Sequence, residues 1–359
     1  MTSEDTPRVG FCCKYVSPVG DTAAERHLNL IGTTIAALSR LDRTAALAKA
    51  IGIVEHNMAA LAAQIAEVGR RPALERLLRI YSGVLPAYTH PVGSWMYREE
   101  PSMRSLVESG LARAGSLARA TGVRLSMHPG QYCVLATTNP AALENAIGDF
   151  EYHTEMMRMM GYAGGGWHPH GAHINIHGGA RAAGIEGFRA GLARLSADAR
   201  NLITVENDEV SYGLDDLLPL ADTLPIVLDI HHHWIKSGGE YIRSDDPRIP
   251  LIQESWRGVR PVSHVSVSRE DLLPDHPPGV RPDFVALLER GIKARDLRAH
   301  SDTMWNDAVN DLVTAHLVWT DFEVEAKHKN LASRRLAEHV GRLSGKRNSH
   351  LIRPSLQNA

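Results

Sequence analysis

Cysteine is scarce in this chain: Cys12, Cys13 and Cys133 are the only thiols in 359 residues. Two of them are adjacent in a predicted strand, so no disulfide framework is expected and a reducing, cytoplasmic setting is. Neither sign of charge dominates, with 39 basic and 41 acidic residues and a formal net charge of −2. No global field therefore draws the chain to nucleic acid or to a membrane. An acidic substrate would have to be held by a local patch or by bound cations. Long apolar runs are also missing, for no segment approaches the roughly eighteen uncharged residues of a membrane helix. Residues 1–7 lack the basic-then-apolar order of a secretory leader.

What the chain has in excess is histidine, 19 residues of it. Imidazole in that number suits metal ligation or acid–base work, and no tag-like run stands at either end. At 43% hydrophobic and 22% charged, the sequence has ample material for a core. Its length fits one large α/β barrel or two smaller domains.

Short apolar runs recur along the chain and read as buried parallel strands. They are Arg8–Cys13, Leu77–Tyr81, Val123–Met127, Ala172–Ile176, Leu202–Val205, Pro225–Asp229, Pro261–Ser266 and Trp319–Glu325. Helical periodicity fills most of the gaps: about 23–38, 45–68, 102–121, 140–160 and 185–195. Ser102 is a candidate N-cap and Gly122 a C-terminal stop. This rhythm predicts a single (β/α)8 barrel over residues 1–344, with long insertions at about 235–258 and 269–298. A polar, loosely held tail is expected over 345–359.

The residues just past each strand are the informative ones. They are His90, His128, His177, Glu206, Asp229 with His232, His264 and Glu325, and His300 lies in the loop before the last strand. In a barrel all of these converge on one face, where barrel enzymes carry their chemistry. A single strand-end histidine is ordinarily structural. A whole set of imidazoles and carboxylates without cysteine fits a catalytic site for manganese, zinc or iron. Glu206 can bridge two ions through its two oxygens. Asp229 and His232 can approach one ion if the chain turns helical there. His231 and His233 fall to supporting roles. His168 and His170, in a glycine-rich loop, are read as non-ligands.

These residues resemble the UV-damage endonucleases, a family of xylose-isomerase-like TIM barrels. The likeness runs from about Arg8 to Lys329. It rests on Arg79-Ile80-Tyr81-Ser82 through Thr89-His90, His128-Pro129-Gly130-Gln131-Tyr132, His177-Gly178-Gly179 and Glu206-Asn207-Asp208. It continues in Asp229-x-His231-His232, His264-x-Ser266, His300-Ser301-Asp302 and Glu325-Ala326-Lys327-x-Lys329. The resemblance implies two or three divalent ions, manganese first and zinc or iron as alternatives. It also implies a nick immediately 5′ of a UV photoproduct in double-stranded DNA, by attack of a metal-activated hydroxide; abasic sites are a second lesion. By position, His128, His177 and Glu206 would hold one ion. Glu206, Asp229, Glu325 and either His264 or His300 would hold the second, and His232 with His264 or His300 the third.

Lys327 would neutralise phosphate charge, and it joins Glu206 and His231 in the expected catalytic set. Gln131 and Tyr132 resemble the family's probe, a polar amide and a flat ring that fill a vacated base stack. With His90, Asn207 and Phe11 they form the expected DNA-contacting set. Val262 stands where the family commonly has a lysine, and Tyr81 where it has a serine. No membrane and no obligate protein partner is expected. The competing reading is a barrel metalloenzyme of the same superfamily acting on a small molecule or peptide, as an isomerase or oxygenase.

Overall fold

The computed structural model describes residues 6–164 and 171–351, with side chains described to residue 343. His168 and His170 lie outside the described residues. Eight strands form one parallel sheet: β1 Val9–Cys12, β2 Leu77–Ile80, β3 Arg124–Met127, β4 His173–His177, β5 Ile203–Glu206, β6 Ile226–Val227, β7 Val262–Val265 and β8 Asp321–Val324. The order in the sheet is β6-β5-β4-β3-β2-β1-β8-β7. Its two edges meet through a parallel bridge between Asp229 and His264, where the His264 amide donates to the Leu228 carbonyl at 2.9 Å. The ring closes, as a (β/α)8 barrel, at the place where two of the expected ligands stand.

Every strand expected from the apolar runs is present, because residues covered by helices outside and by side chains inside must be apolar or paired. Helix boundaries follow local capping. Asp42 accepts from the Ala45 amide at 2.8 Å and opens the long helix Arg43–Gly69. Asn139 takes the Ala141 amide at 3.0 Å and opens Pro140–Met159. Such caps contribute about 1 kcal/mol each.

The structure corrects two expectations and adds detail to two others. The helix expected over 23–38 is two, Thr22–Leu28 and Ile35–Ser39, because Thr34 caps the second and Asn29 is engaged with the Tyr15 backbone. The helix expected from Ser102 starts at Pro101, whose ring presets the first helical residue, so Ser102 is interior and Glu100 precedes the helix. The two insertions carry the helices Ile249–Ser255, Phe284–Glu289 and Ala294–Leu297 rather than bare loop. The expected loose tail begins inside the final helix, Asn330–Leu351, and its remainder lies outside the described residues. No helix among the described residues is long and apolar enough to cross a membrane.

Candidate metal centre

Each strand delivers its donor at its C-terminal end, and the turn that follows holds it there. After β4, His177 is succeeded by Gly178 and Gly179. Gly179 has φ +105° and bridges to Ala136, where a Cβ would sit 2.8 Å from the Ala136 carbonyl oxygen. Only glycine enters that turn at low cost. After β5 the three residues Glu206-Asn207-Asp208 divide the work. Glu206 faces the barrel axis. Asn207 clamps Asp229, accepting from its amide at 2.9 Å and donating to its carbonyl at 3.0 Å. Asp208 accepts from the Val210 and Tyr212 amides and closes the turn.

Asp229 caps the helix Ile230–Ser237, with Oδ1 taking the His232 amide at 2.6 Å. Its other oxygen, Oδ2, has no hydrogen-bond partner. His300 arrives from the second insertion, whose two ends are pinned together by an antiparallel bridge between Ser268 and His300.

These elements assemble three adjoining donor groups, each with its donor atoms within 4.8 Å of one another: His128 with His177 and Glu206, Glu206 with Asp229 and His264, and His232 with His300 and Glu325. Glu206 is shared between two of them. Its Oε2 is 3.3 Å from His128 Nε2 and 3.6 Å from His177 Nε2, while Oε1 is 3.0 Å from His264 Nδ1 and 3.3 Å from His232 Nδ1. Asp229 and His232 do not fall in one group; Oδ2 and Nδ1 are 3.9 Å apart. His264 and His300, interchangeable in the sequence reading, stand in different groups.

The donor set fits divalent cations. Glu206 Oε1, Asp229 Oδ2 and His264 Nδ1 are all buried and all lack a hydrogen-bond partner. Such atoms carry the full desolvation cost unless a cation meets them. The titration balance agrees. Burial raises the Glu206 carboxyl, but His264, His128 and His232 around it pull it well below the ordinary range. Burial raises Asp229 and the neighbouring carboxylates add to it, so it stays above the usual value despite His232. Burial lowers the His264 imidazole, yet Glu206 and Glu323 carry it up to about 10. The cluster holds surplus negative charge and takes up protons where cations would otherwise sit.

The remaining expected residues divide clearly. Gln131 and Tyr132 follow His128 on an exposed turn, with Tyr132 84% exposed. His90 is exposed at the start of the helix Pro91–Glu99, its Nδ1 accepting from the Val92 amide. Lys327 is half exposed and pairs with Asp302 at 3.0 Å. Three of the expected residues are buried. Phe11 is 1% exposed inside the core, with Arg71 over its ring, so it faces no DNA. Asn207 is fully buried and spends its amide on Asp229. His231, placed in the expected catalytic set, is 4% exposed, with its ring centroid 5.6 Å from that of His300.

Several residues beneath the donors were overlooked. Arg79 Nη1 lies 2.5 Å from Glu325 Oε1, Asn175 donates to Glu206 Oε2, and Thr204 donates to Asn175 at 2.9 Å. Ser126 donates to Glu323, and Glu209 Oε2 is 3.7 Å from His232 Nε2 at the rim. Ser126, Asn175, Thr204 and Glu323 each precede a donor by two residues. Side chains two apart on a strand share a face, so that spacing was the available signal. Val262, two before His264, is fully buried and apolar.

Comparison with known proteins follows the same lines. The chain is 33% identical over 205 residues to the UV-damage endonuclease of Neurospora crassa, and 31% identical over 265 residues to that of Schizosaccharomyces pombe. Those matches take in 53% and 71% of this chain but only 30% and 39% of the fungal proteins. It is 28% identical to the UV DNA damage endonuclease of Bacillus pumilus over 75% of this chain and 76% of that protein. The solved structure of SacUVDE shares the fold, with a TM-score of 0.70 at 20% identity over 94% of this chain and 99% of that one. The model of the family described as UV-endonuclease UvdE matches residues 8–351, and the chain belongs to that family.

Proposed function

We propose that this protein is a metal-dependent DNA-repair endonuclease, a phosphodiester hydrolase that nicks duplex DNA immediately 5′ of UV photoproducts, with abasic sites as a second lesion. The observation that carries the reading is a Glu206 carboxylate shared by two donor groups, one of which includes His128, whose strand end runs on into the exposed Gln131-Tyr132 turn. Bound divalent ions, manganese first with zinc or iron as alternatives, would supply an activated water and charge stabilisation at the departing 3′-oxygen.

The chain's own residues set the rest. His128, His177 and Glu206 form one holding group; Glu206, Asp229 and His264 the second; and His232, His300 and Glu325 the third. Asn175 holds one Glu206 oxygen and leaves the other to face the second group. Lys327, exposed on the loop after β8, offers an ammonium to a phosphate that displaces Asp302. His90 is exposed for backbone contact. Tyr132 presents a flat ring, and stacking a base on such a ring is worth roughly 1–3 kcal/mol. A distorted lesion costs less to unstack than an intact pair, which favours damaged DNA. A nearly neutral chain thereby gains a local cationic pocket for a phosphodiester.

The test is a nicking assay with Mn²⁺ on irradiated and unirradiated duplexes. A single cut 5′ of each photoproduct, with the unirradiated duplex spared, is expected. Equal cutting of both duplexes, or none of either, overturns the reading.

A further inference from the structure

We infer that Glu323 is a positioning residue for His264, a buried carboxylate that decides which ring nitrogen is presented to the ions. The inference rests on the metal reading of the site and not on the identity of the substrate.

Glu323 and His264 are register partners across β7 and β8, and both are completely buried. The His264 ring has two sides. Its Nδ1 lies 3.0 Å from Glu206 Oε1 and 3.4 Å from Glu325 Oε1, on the side of the donor groups. Its Nε2 points the other way, 3.3 Å from Glu323 Oε2, an ion-pair contact not yet aligned as a hydrogen bond. A ligating imidazole is neutral and keeps one N–H, which needs an acceptor. For Nε2 the nearby carboxylate is Glu323, and a proton held there leaves the Nδ1 lone pair for an ion.

Glu323 is itself tied in place. Ser126 donates to Oε1, and Arg79 Nη1 lies 3.6 Å from Oε2. Arg79 is already 2.5 Å from Glu325, so one guanidinium serves two buried carboxylates. A second donor to Glu323 from His264 completes the balance. Glu323 belongs to none of the three donor groups among the described residues, which separates support from ligation.

The experiment is a Mn²⁺ titration of the intact protein, wild type beside Glu323→Gln and Ser126→Ala, followed by the spin-resonance signal of free Mn²⁺. Thermal midpoints are taken in chelator. The expected result is that Glu323→Gln weakens one ion about 10–100-fold, the usual effect of losing a carboxylate behind a ligating histidine, and spares the others. Ser126→Ala, which keeps every charge, should weaken the same ion by less while still unfolding cooperatively in chelator, and it serves alone if Glu323→Gln does not fold. Unaltered affinity in either folded variant overturns the role of Glu323 and leaves the metal reading standing. A wild-type protein that binds no Mn²⁺ overturns the metal reading, and the inference with it.

Discussion

The two ends of the barrel bury charge in opposite ways. At the N-terminal end of the strands Asp321 is enclosed by arginine. It accepts from Arg124 Nη1 at 2.9 Å, from Arg260 Nε at 2.7 Å and from the Arg8 amide at 2.9 Å. At the same end His173 Nδ1 donates to the Gly171 carbonyl at 2.9 Å and its ring meets the Trp256 ring edge-on. Both Asp321 oxygens are occupied by protein. At the C-terminal end Asp229 Oδ2 is equally buried and has no hydrogen-bond partner, while Glu206 Oε1 and His264 Nδ1 only face each other at 3.0 Å without an aligned hydrogen bond. Charge matched by protein groups is structural; charge left unmatched in a ring of ligand-type atoms is a site for ions.

Variants at the two ends should therefore fail differently. Glu206→Gln removes the carboxylate common to two donor groups. Nicking of irradiated duplex should be lost and Mn²⁺ stoichiometry reduced, with the circular dichroism spectrum unchanged. Asp321→Asn should do the reverse, lowering stability by about 3–5 kcal/mol in a urea titration because Arg124 stays buried without its counter-charge. Its Mn²⁺ stoichiometry should not change. If Asp321→Asn lost ions while Glu206→Gln only unfolded, the distinction between the ends would collapse.

Acidity separates the ends further. His264 is held at about 10 in the absence of a cation, so at neutral pH it carries a proton that a divalent ion must displace. Mn²⁺ affinity should rise with pH between 6 and 9, about tenfold per unit for each proton released, and calorimetry in buffers of different ionisation enthalpy would count those protons. Tyr132→Ala should reduce the preference for damaged over intact duplex by about 1–3 kcal/mol in competition binding, with Mn²⁺ binding untouched.

A further effect belongs to the closed end. Burial, with Arg124 adding to it, depresses His173 to about 3. The folded protein then keeps it neutral while an unfolded chain protonates it below its ordinary value. Stability should fall as pH drops from about 6.5 towards 3, by at most about 1.4 kcal/mol per unit from this group. His173→Gln should show a shallower acid slope in urea midpoints between pH 7 and 4.5.

Much of the upper end was legible because a barrel turns strand ends into neighbours. His128, His177, Glu206, Asp229, His264 and Glu325 were found by one rule, the polar residue that follows an apolar run. The errors have a common origin. Phe11 belongs to the fully buried strand β1, and Asn207 directly follows Glu206, where alternation turns its side chain away from the donors and onto the Asp229 backbone. His231 sits one turn position away from His232, yet its ring is directed into the wall beside His300. The support beneath the donors, Ser126, Asn175, Thr204 and Glu323, obeys the same two-residue alternation and could have been predicted from it.

Sequence by itself determined the strand number, the barrel class and the list of donors, since these follow from local periodicity and from what each strand carries at its end. Only the tertiary structure decided how the donors divide. Closure of β6 onto β7 puts His264 with Asp229, and the pinned insertion delivers His300 to His232 and Glu325. Those pairings depend on barrel register and on contacts between distant segments, which no local pattern encodes.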